Sequence, residues 1–373
     1  MKTLSFVTVL SLFGLACSAD VSSDGAGGAG AGDSGAGDAG AGDSGAGDVG
    51  AGDAGGASAG GTSAGGSSPG GGSPEGGSGA GGGPTDLPDP NLDGSLQIAA
   101  VSGTAEVAAT GDDVPITGFA PTSGGPYPVI VIGHGFQLPT TQYEAYAARL
   151  ATFGYVALLP DFPTSFFGTA HTDVAENLLG ALDWAASAPE LAGKADSQNA
   201  GMTGHSLGGK GALLAATYDA RVKAVIALDP VDSAMNCNPT DCPDVSNLMP
   251  SLGIPTGFLG ETTDATGGFM ACAPAADNYA TFYAGAQSPS FSVTVLGANH
   301  MSFLDDVASC GFTCSFCNMA TAPNAQVNAM ARAYVTAFFE RHLKGLAGYD
   351  AYLTGDVAQM RYVSTNQATI VSK

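Results

Sequence analysis

Short apolar runs alternate with amphipathic stretches along the chain from residue 127 onward. Six runs of mainly apolar residues occupy positions 127–133, 155–160, 199–204, 221–228, 254–259 and 291–296. Apolar runs of this length are typical of strands that are buried on both faces of a sheet. The pattern therefore predicts a mainly parallel sheet.

Helical periodicity fills the intervals between these runs. Residues 143–153 and 327–339 carry apolar side chains three and four positions apart, and a further helix is expected after the candidate N-cap Thr172, with Val174 and Leu178 on one face. Strands that alternate with helices form sheets with helices on both faces, and such sheets bind ligands at the carboxyl ends of their strands. We expect an α/β fold whose functional residues lie in the loops after the strands.

The first residues of the chain resemble an export signal. Residues 1–17 place Lys2 ahead of an apolar run over 4–15, which is too short to span a bilayer as a helix. The run ends at Cys17 in a pattern similar to the lipobox of bacterial lipoproteins, although Gly14 stands where that family usually has Leu. We expect export, with a lipidated Cys17 attaching the protein to the outer membrane or cell surface. Ordinary secretion is the alternative.

The next segment has almost no large apolar side chains. Residues 18–94 include five repeats of Gly-Ala-Gly-Asp, a composition that cannot bury enough surface to offset its ordering entropy, so we expect a disordered tether. Residues 95–373 then form one α/β domain. The net charge of the chain is −23, and because residues 1–94 hold eleven acidic residues and one Lys, the domain keeps −13. An acidic domain of this kind is not expected to bind nucleic acid. We also expect a monomer.

Cysteines are concentrated in the domain. Apart from Cys17 there are six: Cys237, Cys242, Cys272, Cys310, Cys314 and Cys317. An even number in an exported chain suggests up to three disulfides, whose connectivity the sequence leaves open. Three of them have zinc-like spacing and, with Cys272, could form a four-thiolate site, but an oxidising compartment favours disulfides. We expect no metal ion and no cofactor.

One motif carries the signature of a nucleophile. The run 199–204 leads directly into Gly204-His-Ser206-Leu-Gly208 and then into a helical pattern. Gly-x-Ser-x-Gly between a strand and a helix forms a sharp turn that exposes the serine. A serine hydroxyl needs a base, and His300 follows the run 291–296, C-terminal to Ser206, where the chain order of such triads places it. His205, inside the turn, should point elsewhere.

The third triad member must be a carboxylate that orients the imidazole. Asp229 directly follows the run 221–228, Asp264 lies several residues beyond the run 254–259, and Asp232 is a weaker choice. Spacing alone does not decide, because both strand ends face the site. Asp264 lies among Thr, Gly and Ala, and for such a loop carboxylate we expect a solvated position.

An oxyanion requires two backbone N–H donors. We expect one from Leu207, next after the nucleophile, and the other from Phe136 in the glycine loop 133–136. An apolar pocket close by would suit small-molecule esters that are uncharged or lipophilic. Its candidate residues are Leu138, Tyr143 and Met301.

Several segments resemble the chlorophyllases. They comprise residues 129–138, 153–160, 204–210, 228–232, 271–274 and 300–305, and together they cover most of residues 114–306. Platelet-activating-factor acetylhydrolases are similar around 226–229 and His300, and cutinase-type polyester hydrolases share the scaffold more distantly. The resemblance implies an α/β-hydrolase fold and a serine esterase.

The same families bear on the triad acid. In the first two the acid follows the strand directly after the nucleophile helix, which implies Asp229, whereas in the polyester hydrolases it comes one strand later, which would favour Asp264. The chain departs from plant chlorophyllases at Leu207, and residues 310–317 have no clear counterpart. We expect an exported carboxylic ester hydrolase with Asp229 as the acid. The alternatives are a polyester hydrolase, a peptidase or amidase, and a surface lipoprotein that only binds.

Overall fold

The computed structural model describes residues 87–233, 237–266 and 271–373. The predicted signal segment, Cys17 and all of the tether before residue 87 lie outside the described residues. What the sequence indicates about them stays a prediction. No helix in the described ranges is both long enough and apolar enough to cross a membrane.

A single sheet organises the described part of the chain. Its strands are β1 (Ile98–Val107), β2 (Asp112–Pro121), β3 (Tyr127–Gly133), β4 (Val156–Pro160), β5 (Ala195–His205), β6 (Val222–Leu228), β7 (Thr256–Gly260), β8 (Ser290–Val295) and β9 (Ala368–Ser372), in the spatial order β1-β2-β4-β3-β5-β6-β7-β8-β9. The six central strands, β4-β3-β5-β6-β7-β8, are parallel. Antiparallel strands flank them, with β1 and β2 on one side and β9 on the other.

Helices cover both faces of this sheet. They are α1 (Glu144–Thr152), α2 (His171–Ser187), α3 (Leu207–Tyr218), α4 (Tyr279–Gly285), α5 (Asn324–His342) and the short α6 (Asp350–Leu353) and α7 (Asp356–Ala358). Alternate residues of β3 enter different cores: Val129 and Val131 pack with α2, α3 and α4, whereas Ile130 and Ile132 pack with α1 and α5. The predicted α/β-hydrolase fold, with a mainly parallel sheet between two helical layers, is confirmed.

The sequence located the buried strands better than the edge strands. All six predicted runs are strands, but β1, β2 and β9 were not predicted, because they alternate between buried and exposed residues at the edge of the sheet. The expected cap is wrong: α2 begins at His171, and Ala170, not Thr172, precedes its first turn.

The boundary between tether and domain also needs correction. Residues 87–94, which their composition assigned to the tether, lie on the domain. The Nη1 of Arg361 donates to Asp89 Oδ1 at 2.8 Å, and the Nε of Arg149 donates to Asp93 Oδ1 at 2.6 Å. The hydrogen bond from Arg361 lowers the pKa of Asp89 from 3.8 to about 2. These two ion pairs, which composition does not reveal, extend the domain toward the N-terminus.

All six domain cysteines form disulfides. The pairs are Cys237–Cys242, Cys272–Cys317 and Cys310–Cys314. The sulfurs are therefore unavailable for the zinc alternative. Cys272–Cys317 closes a loop of 45 residues, and the chain-entropy model assigns such a crosslink about 4 kcal/mol, roughly twice the value for the two local pairs.

Removal of residues 87–94 should destabilise the domain. A chain that begins at residue 95 loses the ion pairs of Asp89 and Asp93, so we expect its free energy of unfolding in urea at pH 7 to fall by on the order of 1 kcal/mol relative to a chain that begins at residue 82. Because folding lowers the pKa of Asp89, the stabilisation that Asp89 contributes is complete above pH 4 and is lost as the pH falls toward 2. Equal unfolding midpoints at pH 7 would show that the segment contributes nothing.

Candidate active site

Ser206 occupies a strained turn between β5 and α3. Its backbone has φ 56° and ψ −120°, a left-handed region that L residues rarely adopt, and Ser206 N donates to Leu228 O at 3.0 Å. Three glycines let the chain pass here: a Cβ on Gly208 would lie 2.2 Å from Gly133 O, and one on Gly204 would lie 2.5 Å from the carbonyl carbon of Gly208. The turn thus depends on backbone segments that lie too close together to leave room for a side chain at these glycines.

His300 links the serine to a buried carboxylate. The Ser206 hydroxyl lies 2.9 Å from His300 Nε2, and His300 Nδ1 lies 2.6 Å from Asp229 Oδ2. A proton on Nδ1 that donates to Asp229 leaves Nε2 free to accept from the serine hydroxyl. The three side chains come from the turn after β5, the end of β6 and the 3-10 turn after β8, all at the carboxyl edge of the sheet.

Burial sets the electrostatics of the carboxylate. Asp229 is fully buried, which raises its pKa, while the hydrogen bond from His300 opposes that rise. Its other oxygen, Oδ1, has no hydrogen-bond partner among the described residues. The hydrogen bond from His300 therefore offsets part of the free-energy cost of burying the charged Asp229 carboxylate. This couples the positions of the two side chains.

Asp264, the alternative acid, contacts the backbone of His300 instead of its ring. Its side chain is 1% exposed, so the expectation of a solvated loop carboxylate is wrong. Asp264 Oδ2 accepts the His300 N–H at 2.8 Å, and Oδ1 accepts the Asn318 N–H at 2.7 Å. Both oxygens are committed to backbone donors, and the side chain that reaches the imidazole is that of Asp229.

His205 supports the loop that carries His300. His205 Nε2 lies 2.8 Å from His300 O, so this nitrogen carries the proton and donates. The Tyr143 hydroxyl then donates to His205 Nδ1 at 2.9 Å and accepts the Gly135 N–H at 3.1 Å. Burial holds the pKa of His205 well below its usual range, consistent with a neutral ring. The sequence suggested Tyr143 as a pocket residue, but its side chain lies behind the glycine loop.

Two backbone donors stand beside the serine. Phe136 follows β3 and Leu207 is the first residue of α3, and both line the same cavity as Ser206. Within the described ranges neither backbone N–H donates a hydrogen bond to the protein. The start of α3 adds the positive end of a helix dipole. The oxyanion hole expected from the sequence at these two N–H groups stays a prediction.

The cavity at Ser206 has a volume of about 150 Å³. Its lining is mixed apolar and polar: Phe136, Ser165, Phe166, Thr169, His171, Ser206, Leu207, Val231 and Ser233. Leu138 and Met301, proposed as pocket residues, are buried and do not line it; Leu138 borders a separate depression. Side-chain direction after a strand depends on loop packing, which the sequence did not reveal.

Two further titratable groups lie near the site, and the sequence assigned a role to neither of them. His171 lines the cavity, and burial lowers its pKa to about 3, so the ring is neutral. Glu261, which directly follows β7, is 3% exposed; burial and the charge of Asp229 raise its pKa to about 7. Only its place at a strand end could have drawn attention to Glu261.

The residues do not fit a metal ion. Among the described residues one group has ligand atoms close enough, namely Asp264, Cys272 and Cys317. The two sulfurs are joined to each other, and both oxygens of Asp264 accept backbone N–H groups.

Comparison with known proteins identifies a family for the chain. The chlorophyllase family model matches residues 93–363. Chlorophyllase-2 from Arabidopsis thaliana is 27% identical over 210 residues, 50% of this chain and 63% of that protein. A bis(hydroxyethyl) terephthalate hydrolase from Streptomyces coelicolor is 28% identical over 200 residues, 51% and 58% of the two chains.

Arabidopsis thaliana chlorophyllase-1 is similar to the same degree, 27% identical over 215 residues, or 53% of this chain and 65% of that protein. The chain thus spans less than two thirds of the length of each of these relatives. The family match, by contrast, extends over more than half of the chain and includes Ser206, Asp229 and His300. The chain belongs to the chlorophyllase family.

Proposed function

We propose that this protein hydrolyses carboxylic esters through a covalent acyl-enzyme, with Ser206 as nucleophile, His300 as base and Asp229 as the orienting acid. One observation carries the proposal: an unbroken line of hydrogen bonds joins the serine hydroxyl, the imidazole and a buried carboxylate. A hydrolase fold that only binds would have no need of this line, so it speaks against the binding-only alternative. The names of the relatives, which include two chlorophyllases and a terephthalate ester hydrolase, support an ester substrate.

The geometry supports a two-stage reaction. In the first stage Ser206 Oγ attacks the ester carbonyl as its proton passes to His300 Nε2, and Asp229 stabilises the imidazolium that results. The carbonyl oxygen becomes an oxyanion, which the N–H groups of Phe136 and Leu207 are placed to bind. The C–O bond of the ester then breaks, and the alcohol leaves with the proton from Nε2. In the second stage water repeats these steps on the acyl-enzyme and releases the acid.

Cavity size favours a compact acyl group. A cavity of about 150 Å³ matches one that holds a benzene molecule in another protein, and it is smaller than the usual pockets for drug-sized ligands. The terephthalate of the bacterial relative's substrate is a single benzene ring with two carboxyl groups. We therefore place short aliphatic acids and single-ring aromatic acids among the acyl groups of this enzyme.

Exposed aromatic side chains favour polyester hydrolysis as a second candidate. Phe166 borders the cavity and packs edge-on against Phe136, with ring centroids 5.0 Å apart. Its neighbour Phe167 is 97% exposed. Exposed apolar groups beside a site are typical of surfaces that bind other apolar surfaces, such as a solid polyester.

Export and membrane attachment also remain part of the proposal. The signal-like residues 1–17 support export, as do the disulfides, which persist in oxidising compartments. Lipidation of Cys17 would anchor the chain at a membrane surface, and residues 18–86 would then act as a tether for a monomeric domain.

Replacement of the nucleophile should abolish ester hydrolysis without unfolding the domain. We expect Ser206→Ala to lower kcat on p-nitrophenyl butyrate by at least about 10³-fold, because the attacking oxygen is removed. The variant should also lose labelling by a fluorophosphonate probe. Ser187→Ala, at the exposed end of α2, is the matched control and should keep both properties. Labelling that persists in Ser206→Ala would place the nucleophile elsewhere.

Replacement of the orienting acid tests the choice of carboxylate. We expect Asp229→Asn to lower kcat by on the order of 10⁴, because the amide no longer selects the productive tautomer of His300. Asp244→Asn, which changes a loop carboxylate that is bonded to Ser246 and Asn247, should retain wild-type kcat. Turnover by Asp229→Asn within tenfold of wild type would remove Asp229 from the triad.

The size of the acyl group should control activity. Across p-nitrophenyl acetate, butyrate, benzoate and decanoate, we expect kcat/KM to be highest for butyrate or benzoate and to fall by on the order of tenfold for decanoate, which outgrows the cavity. A maximum at decanoate would show that the acyl chain lies outside this cavity. Release of terephthalate from a poly(ethylene terephthalate) film in the same panel would favour the polyester candidate.

A further inference from the structure

The position of His300 depends on a buried loop whose backbone is held by polar side chains. The residue begins a 3-10 turn, His300–Phe303, that follows β8 through Gly297, Ala298 and Asn299. Its ring is held by Asp229, and its backbone is held from two other sides. His205 donates to the carbonyl oxygen, and Asp264 accepts the N–H. Asp264 is thus the partner of His300 that belongs neither to the triad nor to the serine turn.

Asp264 joins this loop to a second one. Its Oδ1 accepts the Asn318 N–H, and Asn318 Nδ2 donates to Thr263 O at 2.7 Å. Asn299, next to His300, donates from Nδ2 to Asn318 O at 2.6 Å. Asn318 therefore bonds to the chain on both sides of the contact between Asp264 and His300.

A disulfide fastens the second loop. Cys317, which directly precedes Asn318, is joined to Cys272, and Cys272 lies in the segment between Asp264 and α4. Cys272 and Cys317 are half-buried, and the sulfurs lie within 4.8 Å of an Asp264 carboxylate oxygen. The crosslink, the carboxylate and the histidine backbone thus form one continuous connection.

We propose that Asp264 is a positioning residue that holds His300 in line with Ser206, and that the Cys272–Cys317 disulfide keeps Asn318 in place to complete its contacts. The inference rests on the proposed function, since it assigns Asp264 to the same site. It also accounts for a carboxylate, 1% exposed, to which no positively charged side chain of the described residues is bonded.

The chemistry of the side chain explains why a carboxylate is needed. A carboxylate accepts at both oxygens, whereas an amide accepts at one and donates at the other. In Asp264→Asn the NH2 group would face the N–H of either His300 or Asn318, and one buried donor would lose its partner. A shift of about 1 Å in a catalytic group costs about 100-fold in turnover, so a small movement of His300 is enough to be measured.

The first test compares buried Asp264 with half-buried Asp305, because both carboxylates accept a backbone N–H. We expect Asp264→Asn to lower kcat on p-nitrophenyl butyrate by about 10- to 100-fold with little change in KM. We also expect it to shift or broaden the strongly deshielded proton NMR signal between His300 Nδ1 and Asp229. The control is Asp305→Asn, since Asp305 Oδ2 accepts Ala145 N–H at 2.7 Å. It should lose thermal stability but keep kcat and the proton signal.

The second test uses matched disulfides and does not require Asp264→Asn to fold. We expect Cys272→Ser with Cys317→Ser to lower kcat and alter the same proton signal, whereas Cys310→Ser with Cys314→Ser, which opens a local loop, should change neither. Equal effects of the two double variants, or an unchanged proton signal in Asp264→Asn, would overturn the inference.

The two proposals can fail separately. If wild type hydrolyses the ester and Ser206→Ala does not, but Asp264→Asn keeps wild-type kcat and proton signal, the positioning role is wrong and the esterase stands. If wild type hydrolyses no ester in the panel, the proposed function fails. The proton signal then still decides whether Asp264 positions His300.

Discussion

The structure depends on the close approach of three glycine backbones. Gly133, Gly204 and Gly208 bring the ends of β3 and β5 and the start of α3 so near that a single Cβ on Gly208 would collide with Gly133 O at 2.2 Å. This approach forces Ser206 into its left-handed conformation and places the N–H groups of Leu207 and Phe136 beside one cavity. Any side chain at these glycines would separate the strands and move the serine away from its donors.

A second constraint is the placement of one imidazole in a region rich in buried carboxyl groups. Asp229, Glu261 and Asp264 are all at most 3% exposed. Asp229 Oδ1 and Glu261 Oε1 have no hydrogen-bond partner among the described residues. The negative charges of the two carboxylates also repel each other. Burial and this repulsion raise the pKa of Glu261 to about 7.

The rest of the fold holds these groups still. Two apolar cores lie on opposite faces of the sheet, and the loops that carry Ser206, Asp229 and His300 emerge from parallel strands between them. Parallel strands end at one edge, so loops that are distant in sequence meet there. The chain Gly135–Tyr143–His205–His300 ties the glycine loop to the base, with every member hydrogen-bonded. Support of this kind is what limits the motion of catalytic side chains.

The sequence by itself determined the parts that depend on local chemistry. Continuous apolar runs identified the buried strands, and Gly-x-Ser-x-Gly identified the turn of Ser206, because sterics require glycines around a nucleophile held in so sharp a turn. Chain order identified His300. The sequence could not choose between Asp229 and Asp264 without a resemblance to known families, because each follows a strand and only the packed loop decides where a carboxylate points. Tertiary structure turned Asp229 toward the imidazole and Asp264 toward the backbone. It also placed Tyr143 behind the glycine loop and anchored residues 87–94 through charges far apart in sequence, since contacts between distant segments leave no local pattern.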